Sequence, residues 1–217
     1  MAEQESILSK KLTVFTTVTL IGLIFDQATK IWIRNSETIN NGGWKIIPGF
    51  LDFVHAENPG AAFGLLSDFP EVWRLTLFLS FTVIAIFVIL DLYRRLPRSD
   101  VFMTTTLGLI LSGALGNAID RIHQSTVTDF IRIYTDHPPW VEWLGSHWPY
   151  MTEYPSFNIA DSALLIGVGM FLFHYLFLEE KEQEAEEVAA EANDQSSEES
   201  DLETQETDES AKPSAGA

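Results

Sequence analysis

The sequence predicts a mainly α-helical, polytopic membrane protein with four transmembrane helices, a small β-structure between spans, and a disordered acidic C-terminal tail. Two observations predict this class. Four apolar runs, each long enough to cross a hydrocarbon layer of roughly 30 Å, alternate with polar segments. The formal net charge of −18 is concentrated at the end of the chain, where residues 179–209 contain 15 Asp and Glu and one Lys. The preceding residues are therefore close to neutral, and the low isoelectric point describes a tail rather than the body.

Composition also excludes several function classes. The chain has no cysteine, which excludes disulfides, thiolate chemistry and Cys-ligated metals. Its five histidines show no H-E-x-x-H or comparable spacing, so we expect neither a metal nor another cofactor. Nucleic acid is not an expected partner, because the sequence contains no basic patch of useful size.

The first span is predicted at residues 12–33, after a short polar segment, 1–11, that ends in two lysines. This run is too long for the apolar part of a signal peptide and lacks a small-x-small cleavage site, so we expect an uncleaved helix. Asp26 and Lys30 near its end are four residues apart, on one helical face and in the favourable order for an ion pair.

The segment 34–71 that follows has the composition of turns and short strands. Asn40–Gly43 is a turn sequence, and aromatic and β-branched residues predominate in 44–54. The remaining spans are predicted at 72–92, 101–119 and 157–178, with a Trp- and Pro-rich loop at 122–156 and a disordered tail at 179–217.

Four spans place both chain termini on one side of the membrane. The polar residues of the span ends then meet at the opposite surface: Asp26, Lys30, Arg74, Asn117, Asp120, Arg121, Asn158 and Asp161. Polar groups at hydrocarbon depth are expensive and are usually kept for function, so this surface is the predicted site. Basic residues crowd the short segments on the other side, which modestly favours cytoplasmic termini and a site at the outer leaflet.

Carboxylates in such a site predict a specific chemistry. Two carboxyl groups within about 3 Å share a proton, so one can act as a general base on water and the other as an acid. This arrangement favours hydrolysis of a peptide bond without a metal or a covalent intermediate. The spacing does not decide which two carboxylates form the pair. The repeated N-x-x-D pattern of Asn117–Asp120 and Asn158–Asp161 favours pairing Asp120 with Asp161.

Structural roles are the alternative for each of these groups. Asp26 with Lys30 can form a self-satisfied ion pair, and Asp120 with Arg121 can form an ion pair at a helix end. Asn158 can be a helix N-cap, with Asp161 at the third position of a capping box. Asp129 alone is an ordinary loop residue, and glycines such as Gly113 can serve helix packing only. The joint arrangement, rather than any single residue, predicts the site.

Five motifs in order resemble lipoprotein signal peptidase, also called signal peptidase II, over roughly residues 12–178. They are DQATK at 26–30, NPGAAF at 58–63, GNAIDR at 116–121, VTDF at 127–130 and FNIADS at 157–162. The resemblance implies a bacterial aspartyl protease of the cytoplasmic membrane with a small extracytoplasmic β-cradle formed around 35–63. It also implies cleavage of diacylglyceryl-modified prolipoproteins before the lipidated cysteine, inhibition by globomycin, and no cofactor. The expected partners are these substrates and membrane lipids, and the expected state is a monomer.

The resemblance assigns roles by motif. It implies a catalytic dyad of Asp129 and Asp161, and therefore an orienting role for Asp120. The other implied roles are substrate-backbone binding by Asn58 and Arg121, support of the carboxylates by Asn117 and Asn158, bracing of the first span by Asp26 and Lys30, and orientation by Gly60 and Gly113.

The chain also departs from the family pattern. The implied dyad residues are 32 positions apart, a longer gap than usual, with an extra Trp- and Pro-rich segment at about 133–155. Pro59 replaces a small polar residue, and the acidic tail is atypical. Two other classes compete with a protease: a small proton-coupled carrier, for which four spans without an inverted repeat are few, and a membrane scaffold that presents the tail.

Overall fold

The structure of the chain is a computed structural model that describes residues 2–60, 66, 69–135 and 153–177. The predicted acidic tail and most of the Trp- and Pro-rich segment lie outside the described residues. The helices and strands, in chain order, are α1 (Ala2–Asn35), α2 (Glu37–Asn40), β1 (Trp44–Ile47), β2 (Leu51–Asn58), α3 (Glu71–Arg95), α4 (Val101–Gln124), β3 (Val127–Tyr134), β4 (Glu153–Phe157) and α5 (Ile159–Phe177).

Within the described residues, four helices are long and apolar enough to cross a membrane. They are Lys10–Asn35 of α1, and all of α3, α4 and α5. This confirms the predicted class, a mainly helical membrane protein with four spans and a small sheet. The helices extend beyond the apolar runs: α1 reaches Asn35 and α4 reaches Gln124, so the polar residues after Ile33 and Ile119 remain helical.

Helix α4 is the central span, with most of its middle residues buried. Small residues let its neighbours approach closely. A Cβ at Gly108 would lie 3.1 Å from a methyl group of Val18, and one at Gly22 would lie 2.6 Å from the Ser112 hydroxyl. In membranes, where lipid tails are as apolar as leucine, such close backbone packing is a main source of helix association.

The sheet has the strand order β1-β2-β3-β4, and every neighbouring pair is antiparallel. Only β1 and β2 were predicted, because the Trp- and Pro-rich composition of 122–156 indicated a single loop. Strand β3 follows α4 after Ser125, which has a left-handed backbone (φ 63°) and ends the helix. Its pairing with β2 puts Asp129 opposite Ala56, and pairing with β4 puts Ile131 opposite Phe157.

A capping box starts helix α5. The Asn158 side-chain oxygen accepts a hydrogen bond from Asp161 N–H at 2.9 Å, and the Asp161 carboxylate accepts one from Asn158 N–H at 3.1 Å. These reciprocal bonds satisfy two otherwise unpaired N–H groups. The helix therefore begins at Ile159, and Phe157, predicted as its first residue, is the last residue of β4.

The chain divides into two compact units, with the boundary between Phe171 and Leu172. The described part of the second unit is residues 172–177, the last turns of α5. Its Phe173 and Phe177 rings lie 5.3 Å apart, centre to centre.

Candidate active site

Asn158 contacts both Asp129 and Asp161. Its side-chain amide donates to Asp129 Oδ1 at 2.7 Å, while its backbone N–H donates to Asp161 Oδ2 in the capping box. Asp129 lies on β3 and Asp161 lies in the first turn of α5. The sheet and the start of the helix therefore place both carboxylates in contact with Asn158. The capping role of Asn158 and its contact with Asp129 therefore coexist.

Asn117 hydrogen-bonds the second carboxylate oxygen of Asp161. Its amide nitrogen donates to Asp161 Oδ1 at 2.7 Å, and its oxygen accepts from Lys30 Nζ at 3.1 Å and from the Asn158 amide at 3.3 Å. Since a lysine ammonium can only donate, its contact identifies which end of the Asn117 amide is the oxygen. The amide nitrogen is thereby directed at Asp161.

Asn58 provides the second hydrogen bond to Asp129. It is the last residue of β2, and its amide nitrogen donates to Asp129 Oδ2 at 3.0 Å. Its oxygen accepts from Gly60 N–H at 3.0 Å, which locks the side chain onto the turn that follows the strand. Both oxygens of Asp129 are therefore hydrogen-bonded to neutral amides.

Asp129 is buried, and its pKa is raised from the ordinary 3.8 to about 6. Burial is the largest cause, because a charged carboxylate loses its hydration, and the nearby charge of Asp161 acts in the same direction. The amides of Asn58 and Asn158 oppose the shift by hydrogen-bonding the ionised form. Asp129 consequently retains a proton at a higher pH than an exposed aspartate does.

Lys30 is the centre of a buried charge cluster beside this site. Its ammonium lies 2.9 Å from Asp26 and 3.1 Å from Asp120, and all three side chains are at most 1% exposed. The predicted Asp26–Lys30 pair is thus present, but it is joined to α4 rather than satisfied within α1. The predicted alternative of an Asp120–Arg121 ion pair differs from the structure, in which Asp120 pairs with Lys30 and, at 3.4 Å, with Arg34.

Arg121 forms no salt bridge with Asp120 in the described structure. Its guanidinium lies over the Phe78 ring, 4.3 Å from the ring centre, and donates to the backbone oxygens of Gly60 and Asn117, each at 3.4 Å. These contacts hold a cation at the same end of the helices as the two carboxylates. They also tie Gly60, which follows Asn58, to helix α4.

Gly113 lets the start of α5 lie against α4. A Cβ at this position would collide with the Ala160 carbonyl oxygen and would lie 2.6 Å from Leu164 Cγ. Ala160 directly precedes Asp161, so this contact fixes the position of Asp161 along the axis of α4. Within the described residues, no group of three or more His, Asp and Glu side chains is arranged to hold a metal ion.

Comparisons with known proteins agree with this architecture. The model of the Signal peptidase (SPase) II family matches residues 18–177 of the chain. The chain belongs to the signal peptidase II family.

Relatives and solved structures give the extent of the similarity. A lipoprotein signal peptidase of Maridesulfovibrio salexigens is 37% identical over 153 residues, which are 69% of this chain and 86% of the relative. A lipoprotein signal peptidase of Nitratidesulfovibrio vulgaris is 38% identical over 160 residues, 74% of this chain and 87% of the relative. A bacterial membrane enzyme solved by the in meso method at 1.9 Å resolution has a TM-score of 0.58 at 32% identity, covering 76% of this chain and 93% of that one.

Membership of the signal peptidase II family confirms the resemblance that the five motifs indicated, and with it the predicted class of aspartic endopeptidase. With four candidate spans and bacterial relatives, the chain is a multi-pass protein of the bacterial inner membrane.

Two polar residues had no predicted role: Gln27, inside the DQATK motif, and Arg34, four residues after it. Arg34 bonds Asp120 at 3.4 Å and the Gln124 side chain at 3.1 Å, and Gln27 donates to Asp26 and to Gly116 O, each at 3.1 Å. A signal for Arg34 was present, since Asp26, Lys30 and Arg34 recur every four residues and so share one helical face.

Proposed function

We propose that this chain removes signal peptides from diacylglyceryl-modified prolipoproteins, cutting before the lipidated cysteine at the outer face of the inner membrane, with Asp129 and Asp161 as its catalytic dyad. The observation that carries the proposal is that both carboxylates are hydrogen-bonded by Asn158. Family membership supports the substrate, because the relatives are named lipoprotein signal peptidases.

The environments of the two carboxyls support different roles in the dyad. Asp161 lies in the first turn of α5, where the helix dipole stabilises negative charge, and its oxygens accept hydrogen bonds from Asn117 and Asn158. Asp129 is buried and has a pKa raised to about 6, so we assign the single proton of the dyad to it. Asp161 is therefore the proposed general base, and Asp129 the proposed acid.

The proposed reaction proceeds through one water molecule. Asp161 removes a proton from the water, whose oxygen attacks the carbonyl carbon that precedes the lipidated cysteine, while Asp129 protonates the carbonyl oxygen. The tetrahedral intermediate then collapses: a proton passes from Asp161 to the cysteine nitrogen, and the C–N bond breaks. Asp129 recovers its proton from the new carboxyl group, which restores the singly protonated dyad.

Polar groups beside the dyad support backbone binding of the substrate. We assign this role to Arg121 and Asn58, which meet at Gly60: Arg121 donates to its carbonyl oxygen and Asn58 accepts from its N–H. A guanidinium held over an aromatic ring keeps free N–H groups in a fixed plane, which suits peptide carbonyls. Asn117 and Asn158 hydrogen-bond the carboxylates and hold them in place. The buried charges of Asp26, Lys30 and Asp120 hold the ends of the spans together. Gly60 and Gly113 orient the backbone around the site.

The peptidase domain comprises residues 12–178, flanked by a cytoplasmic segment, 1–11, and an acidic C-terminal segment, 179–217. Loops 34–71 and 122–156 are extracytoplasmic and both termini are cytoplasmic, as the basic residues around the α3–α4 turn suggest. The protein acts as a monomer among membrane lipids, and globomycin-type molecules inhibit it.

Cleavage of a synthetic diacylglyceryl prolipoprotein by the full chain in lipid nanodiscs tests this proposal. Asp129→Asn and Asp161→Asn should each abolish cleavage, and globomycin should inhibit the parent enzyme. Asp91→Asn is the matched control, because Asp91 is exposed and forms a surface ion pair with Arg95 at 2.8 Å; it should retain full activity. Full activity of either dyad variant, with its fold intact by thermal unfolding, would overturn the assignment.

A further inference from the structure

An apolar pocket adjoins Asp161 on the side of the site formed by β3, β4 and α5. Its volume is about 560 Å³, within the range of specific small-molecule sites. Its walls are formed by Ile133 of β3, by Tyr154 and Phe157 of β4, and by Leu165 and Ile166 of α5. The Tyr154 and Phe157 rings pack edge to face with centres 5.8 Å apart, which gives the pocket a firm wall on the sheet side.

The helical wall of the pocket is graded from polar to apolar. Asp161 and Ser162 also line it, and Leu165 and Ile166 follow four residues later, one turn further along the same face of α5. At a rise of about 1.5 Å per residue, the apolar pair lies roughly 6 Å further along the helix than the carboxylate. The pocket therefore runs from the site along the membrane span.

The deeper part of this wall is open to lipid. Leu165 is 73% exposed and Ile166 is 56% exposed, and both belong to a helix that is long and apolar enough to cross a membrane. A hydrocarbon chain can thus enter sideways from the bilayer without passing through water.

The pocket is poorly suited to a peptide backbone. Ser162 Oγ already donates to Asn158 O at 3.0 Å, and the walls beyond it are aliphatic and aromatic side chains. Backbone N–H and C=O groups at hydrocarbon depth each need a hydrogen-bond partner, whereas an acyl chain needs none. The groups suited to a backbone, Arg121 and Asn58 around Gly60, are separate from this lining.

We propose that this pocket receives one acyl chain of the diacylglyceryl group carried by the substrate cysteine. The inference rests on the proposed function, and it adds where the lipid lies. The scissile bond ends at the nitrogen of that cysteine, and its side-chain sulfur carries the glyceryl group. The acyl chains thus leave the peptide close to the dyad, and the pocket that includes Asp161 in its lining is in reach. Leu165 and Ile166 then determine which acyl-chain lengths the enzyme prefers in its substrate.

Chain-length selectivity in nanodiscs tests this inference. Two substrates with the same peptide carry either two 16-carbon or two 6-carbon acyl chains, and kcat/KM is measured for both. Leu165→Trp fills the pocket and should lower the long-chain to short-chain ratio at least tenfold, through KM. Val88→Trp on α3 is the control, because Val88 is 52% exposed and does not line the pocket; its ratio should equal that of the parent.

A second measurement keeps the inference testable if Leu165→Trp fails to fold. A long-chain substrate with a photoreactive diazirine near the end of one acyl chain is bound to the Asp129→Asn variant, and labelled peptides are identified by mass spectrometry. Labelling of the segment that contains Leu165 and Ile166 supports the proposal. Labelling confined to other helices, or an unchanged selectivity in a folded Leu165→Trp variant, overturns it.

The outcomes distinguish this inference from the proposed function. A parent enzyme that cleaves both substrates, with unchanged selectivity in Leu165→Trp, leaves the peptidase intact and rejects only the acyl-chain pocket. A parent that cleaves neither substrate rejects the proposed function itself.

Discussion

The carboxylate of Asp120 accepts a hydrogen bond from the backbone N–H of Thr128 at 3.1 Å. Thr128 directly precedes Asp129. An equivalent contact exists on the other side of the cluster, where Asp26 accepts from Ala160 N–H at 2.9 Å, and Ala160 directly precedes Asp161. Since Lys30 pairs with both Asp26 and Asp120, one buried ammonium links the two backbone segments that carry the proposed dyad.

Lys30→Met should destabilise the protein strongly, by about 3–5 kcal/mol, because it leaves the buried Asp26 without a counter-charge and Asp120 with Arg34 alone. The measurement is thermal unfolding in nanodiscs, together with cleavage activity at a temperature where the variant remains folded. Arg95→Met is the control, since it removes a surface ion pair with Asp91, and such pairs contribute about 0–1 kcal/mol. Equal stability of the two variants would contradict the role given to Lys30.

The cleavage rate should fall as pH rises above about 6. The proposed mechanism needs one proton on the dyad, and with the pKa of Asp129 raised to about 6, that proton is lost progressively above this pH. The apparent value belongs to the coupled pair, and kcat/KM against pH reports it for the free enzyme. A rate that stays constant from pH 5 to 9 would argue against a protonated Asp129.

Asn58→Ala should move the decrease in kcat/KM at alkaline pH (the alkaline limb of the pH profile) to higher pH. The Asn58 amide stabilises the ionised form of Asp129 and so lowers its pKa, and its removal leaves burial and the charge of Asp161 less opposed. The limb should therefore shift upward even though kcat/KM itself decreases through weaker substrate binding. A downward shift would contradict the hydrogen-bond direction in the structure.

Asn158→Ser should separate helix capping from support of the dyad. Serine is as good an N-cap as asparagine, so the serine variant should lose less thermal stability than a variant that removes the cap as well. The shorter side chain cannot reach Asp129 at the 2.7 Å of the Asn158 amide, and misplaced reacting groups cost roughly 100-fold in rate. Asn158→Ala, which removes both functions, serves as the comparison. Unchanged activity in the serine variant would assign Asn158 to capping alone.

Gly113→Ala should impair activity by displacing the start of α5. The new Cβ would meet the Ala160 carbonyl oxygen, a backbone atom that can move only if the helix moves, and Asp161 moves with it. Overpacking of this kind typically costs about 1–3 kcal/mol. Gly169→Ala on α5 is the matched control, because no heavy atom lies within 4 Å of its added Cβ. Parental activity in Gly113→Ala would show that α5 tolerates the shift.

Local patterns predicted much of the fold. Span positions follow from apolar run length, the Asp26–Lys30 ion pair from a four-residue spacing, and the α5 capping box from the Asn158–Asp161 spacing. Each of these depends on residues that belong to one continuous segment of the chain. The predicted boundaries erred where polar residues continued a helix, as after Ile119, because tertiary contacts satisfied side chains that looked like a helix end.

Strands β3 and β4 were missed for a different reason. Val127–Tyr134 forms a strand by pairing with β2 and β4, whose nearest residues lie about 70 positions before it and about 20 after it. That pairing buries Asp129 and gives it its amide partners, and neither property follows from the spacing of neighbouring residues.

The sequence by itself determined that this protein crosses the membrane four times and gathers carboxylates at one surface, since both conclusions need only apolar length and the parity of the spans. The five motifs added the family through resemblance. Only the tertiary structure decided which carboxylates share a neighbour. The repeated N-x-x-D spacing favoured Asp120 with Asp161, but Lys30 and Arg34 hold Asp120 in the charge cluster, while sheet pairing brings Asp129 to Asn158. Helical spacing depends on residues close together in the chain, whereas β3 pairs with strands that are distant in sequence and meet it only in the folded protein.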